Sequence, residues 1–438
     1  MPGAGGRPSF RCPDRDRHGG NDREGTFMRR TAGIVLGAAL LATPATTALA
    51  AAPPSGEGEP GAQPYIVTLV EDADPRSVAE EHRNRHGAEV GHIYGTALRG
   101  YAARMTADEV VRVRSDDRVV GVSADRRVST FAQSTPTGVD RVDAEQSPTA
   151  NIDGTDDRVD VDVAVIDTGV DLDHPDLNVY EAGAKNCSTG RKADDGNGHG
   201  THVAGTVGAL DNDSGVVGVA PGARVWPVRV LDNRGSGRWS DIICGIDYVT
   251  QHADEIEVAN MSLGGAGTDD GNCGNTDGDA MHQAICNSVA AGVTYAVAAG
   301  NDYADASGSV PAAYDEVITV SALADFDGQP GGEAASTCRA DGDDTFADFS
   351  NYGQDVDLIA PGVCIESTWM KGGYDTISGT SMASPHVAGG AALYAANNPG
   401  ASPDQVKSAL QNAATTDWIW PSEDPDGVQE KLLNVATF

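Results

Sequence analysis

From residue 64 onward, short runs of hydrophobic positions alternate between two periods. Tyr65-Ile66-Val67-Thr68-Leu69-Val70 is β-branched and strand-like, and residues 75–86 carry a helical pattern. Two further strand-like stretches fall within 89–105. Thr106-Ala107-Asp108-Glu109 is a capping box that opens a short helix, and Val119-Val120-Gly121-Val122 is a last strand. The order β-α-β-β-α-β predicts a small ferredoxin-like α+β module. Beyond residue 131 the chain turns polar, and a longer alternation begins. Apolar runs at 161–166, 224–231, 258–261, 293–298, 317–323 and 356–359 read as strands. Helical patterns lie between them at 199–210, 239–252, 279–291 and 381–397. Continuous apolar strands separated by helices predict an α/β fold of three layers, with a buried, mainly parallel sheet. In such sheets chemistry collects at the carboxyl ends of strands. No internal repeat is present.

The amino-terminal region has a different pattern. Met28-Arg29-Arg30 precedes Thr31 to Ala50, twenty residues without a charge that include Ile34-Val35-Leu36-Gly37-Ala38-Ala39-Leu40-Leu41 and end in Ala48-Leu49-Ala50. A positive start, a short apolar core and a small-x-small exit are the features of a secretory signal. Pro44 and four threonines make the same stretch a weak membrane span. The expected layout is an amino-terminal extension and signal over 1–50 (signal about 28–50), a Pro/Gly/Ala-rich linker over 51–63, the α+β module over 64–131 and the large α/β domain over 132–438. Export places the product outside the cell, with no membrane attachment once the signal is removed.

Composition changes the picture in three ways. Hydrophobic residues make up 39% of the 438 positions and charged residues 22%, enough for a sizeable core and too few charges for a disordered polyelectrolyte. Glycine, at 54 residues, has no triplet period, which excludes collagen and points to a loop-rich globular chain. The net charge of −35 is unevenly spread: residues 1–131 hold 17 basic and 17 acidic side chains, so the whole excess lies after residue 131. So acidic a surface repels phosphate backbones and attracts cations, which argues against a nucleic-acid partner.

Three short motifs carry chemistry. Val163-Ala164-Val165-Ile166-Asp167-Thr168-Gly169 ends an apolar strand in a carboxylate. Asn197-Gly198-His199-Gly200-Thr201-His202 and Ser378-Gly379-Thr380-Ser381-Met382-Ala383-Ser384-Pro385-His386 each open a helix. Nucleophilic acyl transfer needs a hydroxyl, an imidazole that takes its proton and a carboxylate that orients the imidazole. Asp167, His199 and Ser381 supply one of each. Taken singly, Asp167 reads as a cap or turn residue, a Gly-x-Ser as a turn, and His199 with His202 as a metal pair lacking the glutamate of a zinc protease.

Together and in this order, the three motifs closely resemble the subtilisin-like serine proteases (subtilases). The resemblance covers about residues 135–438, while the 64–131 module resembles the inhibitory propeptide of the same proteases. It implies Asp167 as imidazole orienter, His199 as general acid and base, and Ser381 as nucleophile. Val297-Ala298-Ala299-Gly300-Asn301 resembles the oxyanion-hole segment, with the Asn301 carboxamide and the Ser381 amide as donors. Ser262-Leu263-Gly264-Gly265 resembles the strand that pairs with an extended substrate, facing Ala298-Ala299-Gly300 across the primary pocket, whose floor falls near Ser309. Small residues there imply room for a large apolar or aromatic P1 side chain.

The resemblance also implies structural Ca2+ and no organic cofactor. The cation would be held by Asp176, Asn212 and the carbonyls of Leu210, Ser214 and Val216. Acidic stretches at 269–279 and 341–344 read instead as solvated loops. Seven cysteines are present. Cys12 lies before the signal, and the other six imply disulfides in an exported chain, with fifteen connectivities open. Sequential pairing, Cys187–Cys244, Cys273–Cys286 and Cys338–Cys364, closes local loops and is the expectation. The reading that results is a secreted, monomeric serine endopeptidase made as a self-processing zymogen, with peptide substrates and its own propeptide as chaperone and inhibitor. Arg127-Val128-Ser129-Thr130-Phe131-Ala132 is the expected processing segment. The alternatives are a catalytically silent peptide-binding protein of the same fold and an acidic cation-binding secreted protein.

Overall fold

The structure is a computed structural model that describes residues 62–125, 133–190, 192–419 and 426–438. The predicted signal, the linker and the Phe131–Ala132 bond lie outside the described residues. Among those described, no helix is long and apolar enough to cross a membrane. The chain forms two compact units, one on either side of residues 126–132.

The first unit runs β1 (Gln63–Leu69), α1 (Pro75–His86), β2 (Glu89–Tyr94), β3 (Gly100–Met105), α2 (Ala107–Arg114) and β4 (Val119–Ala124). Its strands pair antiparallel in the order β2-β3-β1-β4. Both helices start where the sequence supplies a cap. The Asp74 carboxylate accepts from Arg76 N with Pro75 in the first turn, and Thr106 and Glu109 complete their capping box. Val67, Leu69, Val78, Tyr101, Met105 and Val113 close the core of this unit.

In the second unit, α3 (Thr137–Arg141) precedes the central strand β5 (Asp162–Asp167). β6 (Lys185–Asn186), α4 (His199–Gly208), β7 (Arg224–Arg229), α5 (Trp239–Gln251) and β8 (Val258–Met261) follow. Next come β9 (Gly265–Ala266), α6 (Ala280–Ala290), β10 (Thr294–Ala298), β11 (Ser309–Val310) and β12 (Ile318–Ala324). The chain closes with β13 (Thr345–Phe346), β14 (Leu358–Pro361), β15 (Ile365–Trp369), β16 (Gly373–Ile377), α7 (Thr380–Asn397) and α8 (Pro403–Ala413). The main sheet has the order β13-β12-β10-β8-β5-β7-β6, with β14 also on β12; β13 is its antiparallel member.

Alternate residues of β5 face opposite layers, as the period of two requires. Val163 joins a core with Val387 and Leu410 from α7 and α8, and Val165 packs with Val203 of α4 and Met382 of α7. Ala164 and Ile166 pack with Ile242, Ile246 and Ile285 from α5 and α6. The architecture is therefore helix, sheet, helix, preceded by the ferredoxin-like unit, as the hydrophobic pattern predicted. The structure also holds elements that pattern did not: α8, and the hairpin β15–β16. Disulfides join Cys187 to Cys244, Cys273 to Cys286 and Cys338 to Cys364.

The 341–344 loop departs from the expectation of a solvated turn, while 269–279 is largely exposed as expected. Asp343 and Asp344 are buried, and Asp344 accepts from Arg141 Nε at 2.8 Å. In the other loop the Asp270 carboxylate turns back onto the amides of Asn272, Gly274 and Thr276, and Asp279 caps α6. In the 341–344 loop, amides and one buried guanidinium draw in carboxylates that sequence alone assigns to water.

Candidate active site

Asp167 is the last residue of β5 and fully buried. Its Oδ1 accepts from Thr168 N at 2.7 Å and lies 2.8 Å from His199 Nδ1. His199 opens α4, and the approach of α4 to β5 needs residues without side chains. Gly198 has φ +111°, and a Cβ on Gly200 would lie 2.1 Å from the Gly169 carbonyl oxygen. Asp195 holds the turn between them. Its Oδ1 accepts from Thr168 Oγ1 and the amides of Asn197 and Gly198, and its Oδ2 from Thr201 Oγ1. Sequence reading missed this residue. Burial disfavours the charged form of His199, but the Asp167 carboxylate outweighs it, holding the imidazole above its ordinary value. His202 turns the other way: its Nε2 donates to the Ile365 carbonyl at 2.9 Å, and burial pushes it down to about 4. The two histidines are not a metal pair.

Ser381 lies in the first turn of α7, where free amides and the helix dipole favour negative charge. Pro385, four residues on, has no N–H to give the Ser381 carbonyl. That carbonyl is instead bonded by Ser262 Oγ at 2.7 Å, and Ser262 Oγ also meets Ser384 Oγ at 2.9 Å. The end of β8 is thereby tied to the start of α7. The Ser381 hydroxyl donates to the Ser262 carbonyl at 3.4 Å. Beside it, Asn301 Oδ1 accepts from Thr380 N at 2.8 Å and from Thr380 Oγ1 at 3.1 Å, which leaves the Nδ2 donors for the cavity.

Two cavities flank the Leu263–Gly264 segment. The first, about 500 Å3, is lined by Leu263, Gly264, Gly265, Ala298, Ala299, Gly300, Asn301, Ser309 and Ser381, so it gathers the expected pocket residues. Asp302 and Asp305 also line it. The second, about 730 Å3, borders His199 and Ser262 and is lined on its far side by Leu231, Trp239 and Ile242, with Arg234 and Arg238. Sequence reading did not find this second cavity, because its wall comes from a loop and helix without a motif.

The predicted cation ligands also converge. Asp176 is buried, with Oδ1 accepting from Asn212 Nδ2 at 2.8 Å and Oδ2 from Val216 N at 3.0 Å and Tyr374 Oη at 3.1 Å. Asn212 Oδ1 accepts from the amide and hydroxyl of Ser214. Gln133, which carries no motif, sends Nε2 to the carbonyls of Leu210 at 2.7 Å and Val216 at 3.3 Å. A carboxamide exchanges donor for acceptor by a half-turn, so Gln133 and Asn212 can both present oxygens beside Asp176 and the two carbonyls. An all-oxygen set of this size suits Ca2+.

A buried carboxylate, an imidazole, a serine hydroxyl and a carboxamide donor at the carboxyl edge of a parallel sheet are the groups of a serine protease. The model of the subtilase family matches residues 159–434, and that of the peptidase inhibitor I9 family matches 64–131. The chain is 39% identical over 338 residues to an extracellular serine proteinase of Thermus sp. (strain Rt41A), covering 75% of this chain and 74% of that protein. It is 38% identical over 319 residues to subtilisin NAT of Bacillus subtilis subsp. natto, covering 72% and 75%. The crystal structure of a cold adapted subtilisin-like serine proteinase superposes with TM-score 0.51 at 36% identity, over 68% of this chain and 97% of that one. The chain belongs to the subtilase family and is a subtilisin-like serine endopeptidase with an I9-type propeptide.

Proposed function

We propose that the chain is a secreted zymogen whose residues 132–438 hydrolyse peptide bonds through an acyl-enzyme on Ser381. The observation that carries this reading is the 2.8 Å contact between buried Asp167 and His199, set across the sheet edge from a serine at a helix start. In the reaction, the Ser381 hydroxyl turns from the Ser262 carbonyl to His199 Nε2, which takes its proton as oxygen attacks the substrate carbonyl. Asp167 fixes the tautomer with Nδ1 protonated and stabilises the imidazolium. Asn301 Nδ2 and the Ser381 amide receive the oxyanion. His199 then gives its proton to the leaving amine, and water repeats the sequence to release the acid and regenerate Ser381.

The cavity beside Ser381 accepts P1. Its glycine and alanine walls favour broad binding of large apolar or aromatic side chains, with substrate main chain along Ser262–Gly265 and Ala298–Gly300. The second cavity, walled by Leu231, Trp239 and Ile242, takes an apolar side chain further from the scissile bond. Asp176, Asn212, Gln133 and the carbonyls of Leu210, Ser214 and Val216 hold a structural Ca2+. Residues 64–131 act as intramolecular chaperone and inhibitor, and are released by self-cleavage next to Phe131.

A fluorophosphonate probe tests the reading. Labelling of Ser381 in folded, processed protein is expected, and its absence there favours a silent peptide-binding protein of the same fold.

A further inference from the structure

The chain leaves β12 through Asp325-Phe326-Asp327-Gly328 and returns to β13 through Asp341-Gly342-Asp343-Asp344. One oxygen from each of Asp325, Asp327 and Asp343 lies within 4.8 Å of the others. Their orientation is fixed by loop amides. Asp325 Oδ1 accepts from Gly328 N at 2.7 Å, Asp343 Oδ1 from Phe326 N at 2.8 Å and Oδ2 from Ala334 N at 2.9 Å, and Asp327 Oδ1 from Gln329 N at 3.0 Å. Amides orient carboxylates without cancelling their charge. The facing cation is Arg141, itself buried. Its Nε donates to Asp344 Oδ1 at 2.8 Å and lies 3.5 Å from Asp325 Oδ2, too far for a second hydrogen bond. The same guanidinium also lies 3.6 Å from Asp417 Oδ1, so it is shared among Asp325, Asp344 and Asp417, and Asp325 Oδ2, on a side chain with no exposed surface, has no hydrogen-bond donor.

A buried carboxylate with one donor-less oxygen, packed within 4.8 Å of two other carboxylates, is an unfavourable arrangement unless a cation completes it. The donor set is oxygen only, which excludes the soft metals that thiolate and imidazole select. Two oxygens on one Ca2+, bonded at about 2.3–2.6 Å, lie at most about 5 Å apart, so oxygens within 4.8 Å of one another can share one Ca2+. Mg2+ prefers a rigid octahedron that keeps several waters, which suits three carboxylates fixed by loop amides less well. We propose that Asp325, Asp327 and Asp343 bind a calcium ion at a site separate from the one around Asp176. The ion holds the 325–344 excursion to segments remote in sequence, because Arg141 also donates to the Asp417 carbonyl and Ile419 N to the Asp344 carbonyl. This inference stands apart from the protease reading, since its readout is bound calcium.

The test counts calcium ions by equilibrium dialysis against radioactive Ca2+, on the full-length Ser381→Ala chain after chelator treatment, from micromolar to millimolar free ion. Asp327 is exposed, so Asp327→Asn keeps the fold even where the buried Asp325→Asn fails to. Asp327→Asn should lose one of the bound ions, or hold it at least about tenfold more weakly, the scale on which ligand charge tunes such sites. Asp176→Asn should lose a different ion, and the double variant both. Wild-type stoichiometry and affinity in Asp327→Asn overturn the proposal, as does a site that excess Mg2+ fills and Ca2+ does not.

Discussion

The carboxamide of Asn351 holds the turn that carries Asn301. Asn351 Nδ2 donates to the Ala299 carbonyl at 2.9 Å, its Oδ1 accepts from the amides of Asp302 and Ala304, and its own amide donates to the Gly300 carbonyl. Gly300 has φ +112°, and a Cβ there would lie 2.4 Å from Asn351 Nδ2, so the turn closes only around glycine. Asn351 touches neither Ser381 nor the cavity; it acts through Asn301.

Two substitutions follow from that relationship. Asn301→Ala should lower kcat by about 10²–10³ with KM little changed, the loss seen when one oxyanion donor is removed in subtilisin, a relative of this chain. Asn351→Ala should also lower kcat, by at least about tenfold, and add little in the Asn301→Ala background, because both act on one donor. Measured losses that multiply in the double variant would make Asn351 a purely structural residue.

The pH dependence follows from His199. Its neutral form is the base, and Asp167 raises its pKa above the ordinary 6.5, so kcat/KM should rise with a midpoint above pH 6.5. A raised folded-state pKa also means that the Asp167–His199 contact adds stability below the unfolded value and loses it as pH rises through the folded one. Asp167→Asn removes the carboxylate charge that opposes the effect of burial. The midpoint should fall, and kcat should drop by about 10⁴ with the tautomer no longer fixed. A pH–rate profile of both proteins checks this, and a wild-type optimum at pH 4–5 would contradict it.

Calcium at Asp176 should appear as stability. An ion that binds only the folded state adds about 2.7 kcal/mol at a hundredfold excess over its Kd, so chelation should lower Tm by several degrees and speed autolysis. Gln133→Ala should shrink the calcium-dependent part of that shift and leave Tm in chelator nearly unchanged, since Gln133 reaches the site through two carbonyls. Melting curves of both proteins with and without calcium measure the difference. Superimposable wild-type curves would count against the site.

Much of this was legible in sequence, and the rest has identifiable physical reasons for being hidden. Asp167, His199 and Ser381 are legible because each sits in a compact motif at the end of an apolar strand or the start of a helix. α8 is signalled only at its start, where Ser402 and Gln405 form a capping box with Pro403 in the first turn. The β15–β16 hairpin was not legible: Glu366 and Asp375 interrupt any apolar run, and its second strand is half exposed. Asn351 and Gln133 act on groups distant in sequence, and no local pattern marks a polar residue for a distant carbonyl. Arg141 and Asp344 stand 203 residues apart, so the burial of the 341–344 carboxylates could not be read from the loop itself.

The last prediction concerns the first unit. Residues 62–125 carry their own core and both helix caps, so a 64–131 fragment should fold alone and inhibit the processed enzyme. A sheet of distant parallel contacts closes slowly, which gives such a module a physical use as a folding template. Thr106→Ala removes the half of the α2 capping box in which Thr106 Oγ1 accepts from Glu109 N at 3.4 Å, and should cost about 0.5–2 kcal/mol. The fragment should then melt lower and inhibit more weakly, while the enzyme made from the same precursor keeps its kcat once processed. Amino-terminal sequencing completes the argument. Secreted wild type should begin within a few residues of Ala132, and the Ser381→Ala chain, expressed without other proteases, should keep residues 64–131 attached. If both carry the same new terminus near 132, another protease makes the cut and self-processing is wrong.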